Sequence, residues 1–445
     1  MYNKAKRPTK KEFDKLIAKT KELKPNIVGI SIMCSSYFKV AVKITRLIKK
    51  EMKVLVVWGG IHPTIEPEEC IKHADIVCIG QGEKSFLELV KRMTKGKNIM
   101  NINGLWIKFG NTIIKNKIVE YNFSDFSPAC DVKEHFICST RNNEKFYDTI
   151  CSRGCPYSCS YCSNVTLRNI IGRKYIRYRN VKDIINELIK VKKRGKVRLI
   201  TLWDESFLAN KRWVKCFLRE YKRKINLPFF LPNINPHTID KKTLDLLIET
   251  GLYGIGLGIQ SGSEKTRKLF KRYENIEQIK KATNLIYEKV KISFYHVILD
   301  NPYEDEKDLQ KTLDLLLSIP KPSILLPYSL TYFPRTELTE KALRDKKIKK
   351  SQIEGYAQKT LNNWNVRFKN ISTEQSFYYA LILLVGVLPN KILMRIKKYK
   401  ILKRYGNAFF RVSRFIHALN DWLFINFLEK LTFKSFLRYH IKMNH

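Results

Sequence analysis

Short apolar runs alternate with helical periodicities along the first part of the chain. Phe13, Leu16, Ile17 and Leu23 recur at helical spacing behind Thr9-Lys10-Lys11-Glu12, a capping-box pattern that opens a helix. Asn26–Met33, Lys53–Gly60 and Asp75–Gly80 are brief β-branched runs, and helical stretches lie around Val40–Lys50, Glu66–His73 and Lys84–Met93. That alternation predicts a parallel sheet covered on both faces. Gly104–Val119 then alternates about Gly110-Asn111, which predicts a hairpin appended to the sheet. This first region, residues 1–125, reads as a partial Rossmann or flavodoxin-like α/β domain.

A second region, residues 140–350, repeats the strand–helix unit six times. Its strand candidates are Phe146–Ile150, Val197–Trp203, Phe229–Asn233, Gly254–Ile259, Ile292–Leu299 and Ile324–Thr331. Helical patterns such as Val181–Lys193, Lys211–Arg223, Lys241–Thr250 and Glu306–Leu317 separate them. Six βα units predict a partial (β/α)6 TIM-like barrel, whose catalytic groups would sit at the C-terminal ends of the strands. Residues 351–445 read as a helical extension that mixes apolar and basic stretches. Phe377–Leu388 is apolar throughout but shorter than the ~20 residues a membrane span needs. With the basic stretch that follows, residues 377–404 are expected either to pack as a helix or to touch a membrane surface.

Composition narrows this picture only a little. The formal charge is +43, from 84 Lys and Arg against 41 Asp and Glu. Lysine is spread along the whole chain with many Ile, Asn and Tyr, so biased codon usage explains much of it. An anionic membrane or nucleic acid is the other explanation, but no nucleic-acid-reading motif accompanies the charge, and no specific nucleic-acid partner is expected. The opening MYNKAKRPTKKEF lacks the apolar run of a signal peptide. A cytoplasmic, reducing setting is therefore expected, with contact at most to the periphery of a membrane. There, crowded cysteines bind metal or do chemistry more often than they pair.

The crowding occurs in RGCPYSCSYCSN, where Cys155, Cys159 and Cys162 follow the first barrel strand. Thiolates suit zinc or iron–sulfur clusters. Structural zinc wants four ligands, and the fourth would be Cys151 or a distant cysteine such as Cys130 or Cys138. Three thiolates on a four-iron cluster would instead leave one iron open. Spacing alone leaves both readings standing.

The surrounding pattern resembles the radical S-adenosylmethionine (SAM) enzymes, specifically those with an N-terminal cobalamin-binding domain. Cys155, Cys159 and Cys162 fit that family's C-x3-C-x2-C, with Tyr161 as the aromatic before the last cysteine; Cys151 falls outside the frame. LWDESF (Leu202–Phe207) ends the second strand where the family places acidic residues near the SAM amino group, here Asp204 and Glu205. GIGLGIQSGS (Gly254–Ser263) resembles the fourth-strand motif, whose polar pair Gln260-Ser261 would face the SAM ribose or carboxylate. Val297–Thr312 and Tyr332–Leu338 match the fifth- and sixth-strand segments. The resemblance implies a [4Fe–4S] cluster that chelates SAM and cleaves it reductively to a 5′-deoxyadenosyl radical. It also implies a small-molecule substrate, hydrophobic ones included, undergoing methyl transfer, cyclisation or rearrangement, and a reductant protein such as ferredoxin or flavodoxin.

Ser31-Ile32-Met33 and Gly59-Gly60 resemble the S-x-L and Gly-Gly elements of the cobalamin domain, so Ser31, Met33, Gly59 and Gly60 are its candidate contacts. The chain starts at about the helix before the family's third strand. Its first strand–helix–strand and the D-x-H-x-x-G loop are therefore expected to be missing. Asn26–Met33 should then become a sheet edge, and cobalamin binding is expected to be weak or absent. His62 is expected to be a turn residue rather than a cobalt ligand. Two other readings stay open. A tRNA methylthiotransferase would need a further three-cysteine set, for which Cys34, Cys70 and Cys78 are poorly spaced; a zinc-stabilised basic module would bind nucleic acid without catalysis.

Overall fold

The computed structural model describes residues 8–118, 136–139, 145–172, 176–195, 197–321, 324–353 and 372–416. The chain opens with α1 (Lys10–Leu23), whose Thr9 and Glu12 form the reciprocal capping box that the sequence shows. Next come β1 (Ile27–Ser31), α2 (Phe38–Glu51), β2 (Leu55–Gly59), the short helices α3 (Ile61–Ile65) and α4 (Pro67–Cys70), β3 (Ile76–Cys78) and α5 (Gly82–Thr94). Within the helical stretch expected around Glu66–His73 the structure forms the short α4, which Pro67 opens at its first position. β1, β2 and β3 pair in parallel, and the antiparallel hairpin β4 (Leu105–Phe109) and β5 (Thr112–Lys115) extends them.

Alternation along the strands divides the core. Val56 and Trp58 pack with Phe38, Ala41 and Ile48 of α2 on one face, while Val57 and Ile76 pack with Leu89 of α5 on the other. Buried Trp58 meets its one polar need through Thr45, at 2.9 Å. The sheet order β1-β2-β3-β4-β5 leaves β1 at an edge, as the sequence leads one to expect.

The second sheet begins with β6 (Phe136–Ser139), an antiparallel edge strand that the hydrophobic pattern did not reveal. β7 (Lys145–Thr149), β10 (Val197–Leu202), β11 (Phe229–Ile234), β12 (Leu252–Gln260), β13 (Ile292–Leu299) and β14 (Ile324–Ser329) follow in spatial order, all parallel. Between β7 and β10 lie the two-residue strands β8 (Ser152–Arg153) and β9 (Arg177–Tyr178) with α6 (Ser163–Ile171) between them, then α7 (Val181–Arg194). The outer layer continues with α8 (Lys211–Lys224), α9 (Lys241–Thr250), α10 (Glu264–Leu269), α11 (Ile276–Lys289), α12 (Glu306–Ser318) and α13 (Glu337–Arg344). The six strands form the expected open, partial barrel.

The C-terminal part contributes α14 (Thr373–Leu384), α15 (Asn390–Lys398) and a further helical stretch at 406–416. α14 packs against α12, and Phe377 to Val385 are almost wholly buried in the main core. Over 377–385, the most apolar part of the stretch, the first of the two expectations holds: the helix packs, and α14 is apolar because every side faces protein. Among the described residues no helix is long and apolar enough to cross a membrane.

Candidate active site

The cysteine loop runs between β8 and α6, at the C-terminal end of the barrel strands. Cys155, Cys159 and Cys162 are free thiols and partly accessible. The loop is held by its backbone. Ser160 donates its N–H to Phe270 O at 3.1 Å, and its carbonyl accepts from Leu338 N at 2.9 Å. Arg168 reaches back along α6, donating to Pro156 O at 2.8 Å and to Ser158 Oγ at 2.9 Å. Tyr161 meets the edge of Phe270, with ring centroids 4.9 Å apart. Burial pushes the Cys155 thiol up to about 12, and the neighbouring cysteines add to the effect. Cys162 is raised for the same first reason. Bare thiols in this setting are reluctant to ionise without a metal to compensate.

Cys151 behaves differently. It is fully buried in the barrel core, and its backbone N–H donates to both oxygens of Asp204, at 3.2 and 3.1 Å. Asp204 also accepts from Ser152 Oγ. Its carboxylate is thus occupied in tying the start of the cysteine strand to the end of β10, and burial raises it to about 6. The adjacent Glu205 is exposed and lies close enough to Cys155 and Cys162 to raise both thiols. The polar pair at the end of β12 divides in the same way. Ser261 is fully buried, hydrogen-bonded to Glu304 at 3.1 Å and to Thr312 at 3.1 Å. Gln260 stays partly accessible in a left-handed conformation, φ 66°. Of the residues expected around SAM, Tyr161, Glu205 and Gln260 sit at the open end of the barrel, while Asp204 and Ser261 are committed to internal bonds.

A second group came from no motif. Arg272 places Nη1 3.8 Å from Cys159 Sγ and donates Nη2–H to Gly258 O at 2.9 Å. Its Nε donates to buried Glu274 at 2.7 Å, and Arg267 approaches the same carboxylate at 3.0 Å. Burial alone would raise Glu274, but hydrogen bonding to His237 and the two guanidinium charges hold it down at about 2. His237 Nε2 lies 2.9 Å from the Tyr157 hydroxyl, inside the cysteine loop. These residues form one connected network from Cys159 to Tyr157. KRYEN (Lys271–Asn275) follows a six-residue helix and has no periodicity, so only the density of charge hinted at it.

Below this end of the barrel lie the inward-facing side chains of its strands. Phe146, Leu199, Phe230 and Phe294 close its floor. Above them His296 and Ile298 of β13 and Leu326 and Tyr328 of β14 stay partly accessible, whereas Tyr295, Val297, Leu299 and Leu325 are buried under the helices. His296 and Tyr328 stack at 5.6 Å with their polar atoms 3.2 Å apart. Burial holds the imidazole down at about 4, so it is neutral in ordinary conditions. Gly256 is required here, since a β-carbon would meet Pro232 O at 2.1 Å and His296 Nε2 at 2.8 Å.

The first sheet turns its own strand ends toward this opening. Ile61, Ile65, Leu167, Ile170 and Ile171 join the two domains. Arg335 pairs with Glu66 at 2.7 Å and with Glu68 at 2.8 Å, and Arg153 pairs with Glu83. Ser31 and Met33 are exposed at the end of β1. Gly60 has φ 105°, and a β-carbon there would meet the Ile32 backbone at 2.9 Å, so this glycine serves the chain's own turn. His62 is buried, bonded to Ser35 at 2.9 Å and held at about 4 by burial; His73 stacks on Trp58. The His62 ring packs on Phe38 with its Nδ1 against Ser35. Cys70 and Cys78 are buried on opposite faces of the sheet, which separates two of the three thiols a second cluster would need. Among the described residues no three His, Cys, Asp or Glu converge on a point that could hold one metal ion. A tetrahedral zinc site requires such convergence, whereas the ligands of a four-iron cluster spread over separate irons.

Comparison with known proteins agrees with this division. The Radical SAM superfamily model matches residues 149–316, and the B12 binding domain model matches residues 4–90. An uncharacterized methyltransferase of Pyrococcus horikoshii is 28% identical over 254 residues, 55% of this chain and 54% of that protein. The anaerobic magnesium-protoporphyrin IX monomethyl ester cyclase of Rubrivivax gelatinosus is 25% identical over 317 residues, 67% of this chain and 55% of the cyclase. The chain thus spans about half the length of these curated relatives. The cobalamin-dependent SAM radical enzyme OxsB, solved with aqua-cobalamin and SAM, shares the fold with a TM-score of 0.65 at 16% identity, over 96% of this chain and 69% of that one.

Proposed function

We propose that this chain, a radical SAM protein with a B12 binding domain ahead of its barrel, cleaves SAM reductively and starts radical chemistry on a small molecule held in the barrel. The observation that carries this reading is the contrast among four neighbouring cysteines. Three are free, partly accessible and grouped at the barrel mouth, and the fourth is sealed in the core. Cys155, Cys159 and Cys162 fit a [4Fe–4S] cluster, because three accessible soft donors share one loop and would hold it there. When bound, the cluster would supply the electron that splits SAM into methionine and a 5′-deoxyadenosyl radical.

The chain's own residues do the rest. Glu205 and Gln260 present an acceptor and an amide where SAM would lie, suited to its ammonium and hydroxyl groups. Tyr161 walls that space, and Asp204 and Ser261 fix the strand ends that carry the contacts. Arg272 puts a positive charge beside Cys159 and, through Glu274, keeps the loop from moving. The apolar floor of Phe146, Leu199, Phe230 and Phe294 would help to keep water from a bound substrate. There, neutral His296 and Tyr328 offer hydrogen bonds to an otherwise apolar substrate. Methyl transfer, cyclisation and rearrangement all suit this arrangement. A one-electron carrier such as ferredoxin or flavodoxin would serve as reductant, and the reaction would run in the cytoplasm.

The exposed ends of β1 and β2 suit cobalamin, with Ser31, Met33, Gly59 and Gly60 as the contacts. The match to the B12 binding domain favours binding over the weak or absent binding expected from the sequence. His62 is buried against Ser35 and is not assigned as a cobalt ligand in this reading. The test of the whole reading is anaerobic reconstitution with iron and sulfide, followed by incubation with dithionite and SAM. Release of 5′-deoxyadenosine supports it; a protein that takes up zinc, or iron without SAM cleavage, refutes it.

A further inference from the structure

We propose that the outer face of residues 390–416 is a docking surface for an anionic lipid bilayer. Of the fifteen exposed large apolar side chains among the described residues, six fall in this short stretch: Ile392, Met394, Tyr399, Tyr405, Val412 and Phe415. Ile392 is 45% exposed, Met394 48%, Val412 55% and Phe415 69%. The same stretch holds nine Lys and Arg and no Asp or Glu, in a chain with 41 acidic residues among 445.

The inward side is accounted for. Leu393 and Phe410 belong to the main core, Phe409 lies 5.9 Å from Phe377, and Asn407 accepts from Ser376 Oγ at 2.6 Å. Lys397 and Lys403 anchor the segment to Asp314 and Glu306 of α12. With α14 filling the space beneath, the exposed side chains face away from the barrel. Arg411, Val412, Arg414 and Phe415 share the outer side of one helix, so apolar and cationic groups alternate over the same patch.

This mixture selects the partner. Lysine and arginine draw the segment to a negative surface, and each exposed apolar group gains by entering the boundary between headgroups and acyl chains. Nucleic acid would reward the cations but leave Ile392, Met394 and Val412 unused, since aliphatic side chains offer no stacking face. The surface stands independently of the radical chemistry, though it would bring the barrel within reach of membrane-dissolved substrates.

Vesicle flotation of the full chain tests the proposal, comparing phosphatidylcholine alone with phosphatidylcholine mixed with phosphatidylglycerol. Flotation with the anionic vesicles only is expected. Combined Ile392→Ser, Val412→Ser and Phe415→Ser should reduce the bound fraction roughly tenfold, and combined Lys398→Glu, Arg411→Glu and Arg414→Glu should do the same. All six positions are exposed, and an unchanged unfolding temperature would show that the fold survives. The proposal is overturned if the chain stays with neither vesicle or floats equally with both. It is also overturned if the folded serine variant binds unchanged, or if single-stranded RNA displaces the vesicles from it.

Discussion

The two strand-end surfaces that face each other across the domain boundary are built by different means. At the barrel mouth, charged groups are buried and paired: Glu274 lies between Arg267 and Arg272 and bonds His237, and Asp204 holds the chain at Cys151 and Ser152. On the first sheet the strand ends rest on apolar packing and backbone bonds, and the ion pairs nearby, such as Arg335 with Glu66 and Glu68, are open to solvent. A reactive centre that must hold three ligands and a cosubstrate in register needs stiffness, which buried pairing provides at a desolvation cost. A surface that accepts a large, flat ligand needs mainly room.

The largest expected effect is at Glu274. Replacing it with Ala strands two buried guanidinium groups, and should cost about 3–5 kcal/mol. Arg335→Ala, across the boundary, should cost no more than about 1 kcal/mol. Chemical denaturation of both variants measures the contrast, and equal losses would erase it. The pH dependence sharpens it further. Glu274 is held at about 2, below its ordinary 4.5, so the stability it contributes is complete above pH 4.5 and drains away as the pH falls toward 2. Asp204 is raised to about 6 from 3.8, so its contribution is complete below pH 3.8 and is lost as the pH rises through 6. Asp204→Asn should flatten the second slope and leave the first.

Next in size is the split between adjacent acids. Asp204→Ala should destabilise the fold by about 1–3 kcal/mol, by leaving the Cys151 amide and Ser152 hydroxyl without their acceptor. Glu205→Gln should leave stability unchanged and weaken SAM binding several-fold. Calorimetric titration of the reconstituted variants separates them; unchanged SAM affinity in Glu205→Gln would remove that residue from the site. The smallest effect concerns His62. His62→Ala should leave the visible spectrum of bound hydroxocobalamin unaltered in equilibrium dialysis, because the imidazole faces Ser35. A change in cobalt coordination would place it in the site after all.

The sequence was legible where a local rule decides the structure. The capping box at Thr9, the six barrel strands and the hairpin at Gly110 follow from periodicity and turn chemistry, and the edge position of β1 from the family resemblance. Phe136–Ser139 was not legible as a strand, because pairing with β7 rather than any apolar alternation makes it one. In the site, the frame of the family resemblance set Cys151 apart from the other three cysteines, but it could not tell Asp204 from Glu205 or Ser261 from Gln260. Neighbours in a strand end point to opposite sides, and which side holds the ligand depends on partners far away in sequence: Ser152 for Asp204, Glu304 and Thr312 for Ser261. Arg272 and Glu274 were invisible for the same reason.

The central claim is that three of four neighbouring cysteines form the reactive centre. Anaerobic reconstitution of Cys151→Ala, Cys155→Ala, Cys159→Ala and Cys162→Ala, with iron content, absorbance near ~400 nm and 5′-deoxyadenosine release read on each, tests it most directly. The account predicts that Cys151→Ala keeps the cluster and SAM cleavage, and that each of the other three loses cleavage. Equal loss in all four variants, or cleavage surviving in any of Cys155→Ala, Cys159→Ala and Cys162→Ala, would contradict it.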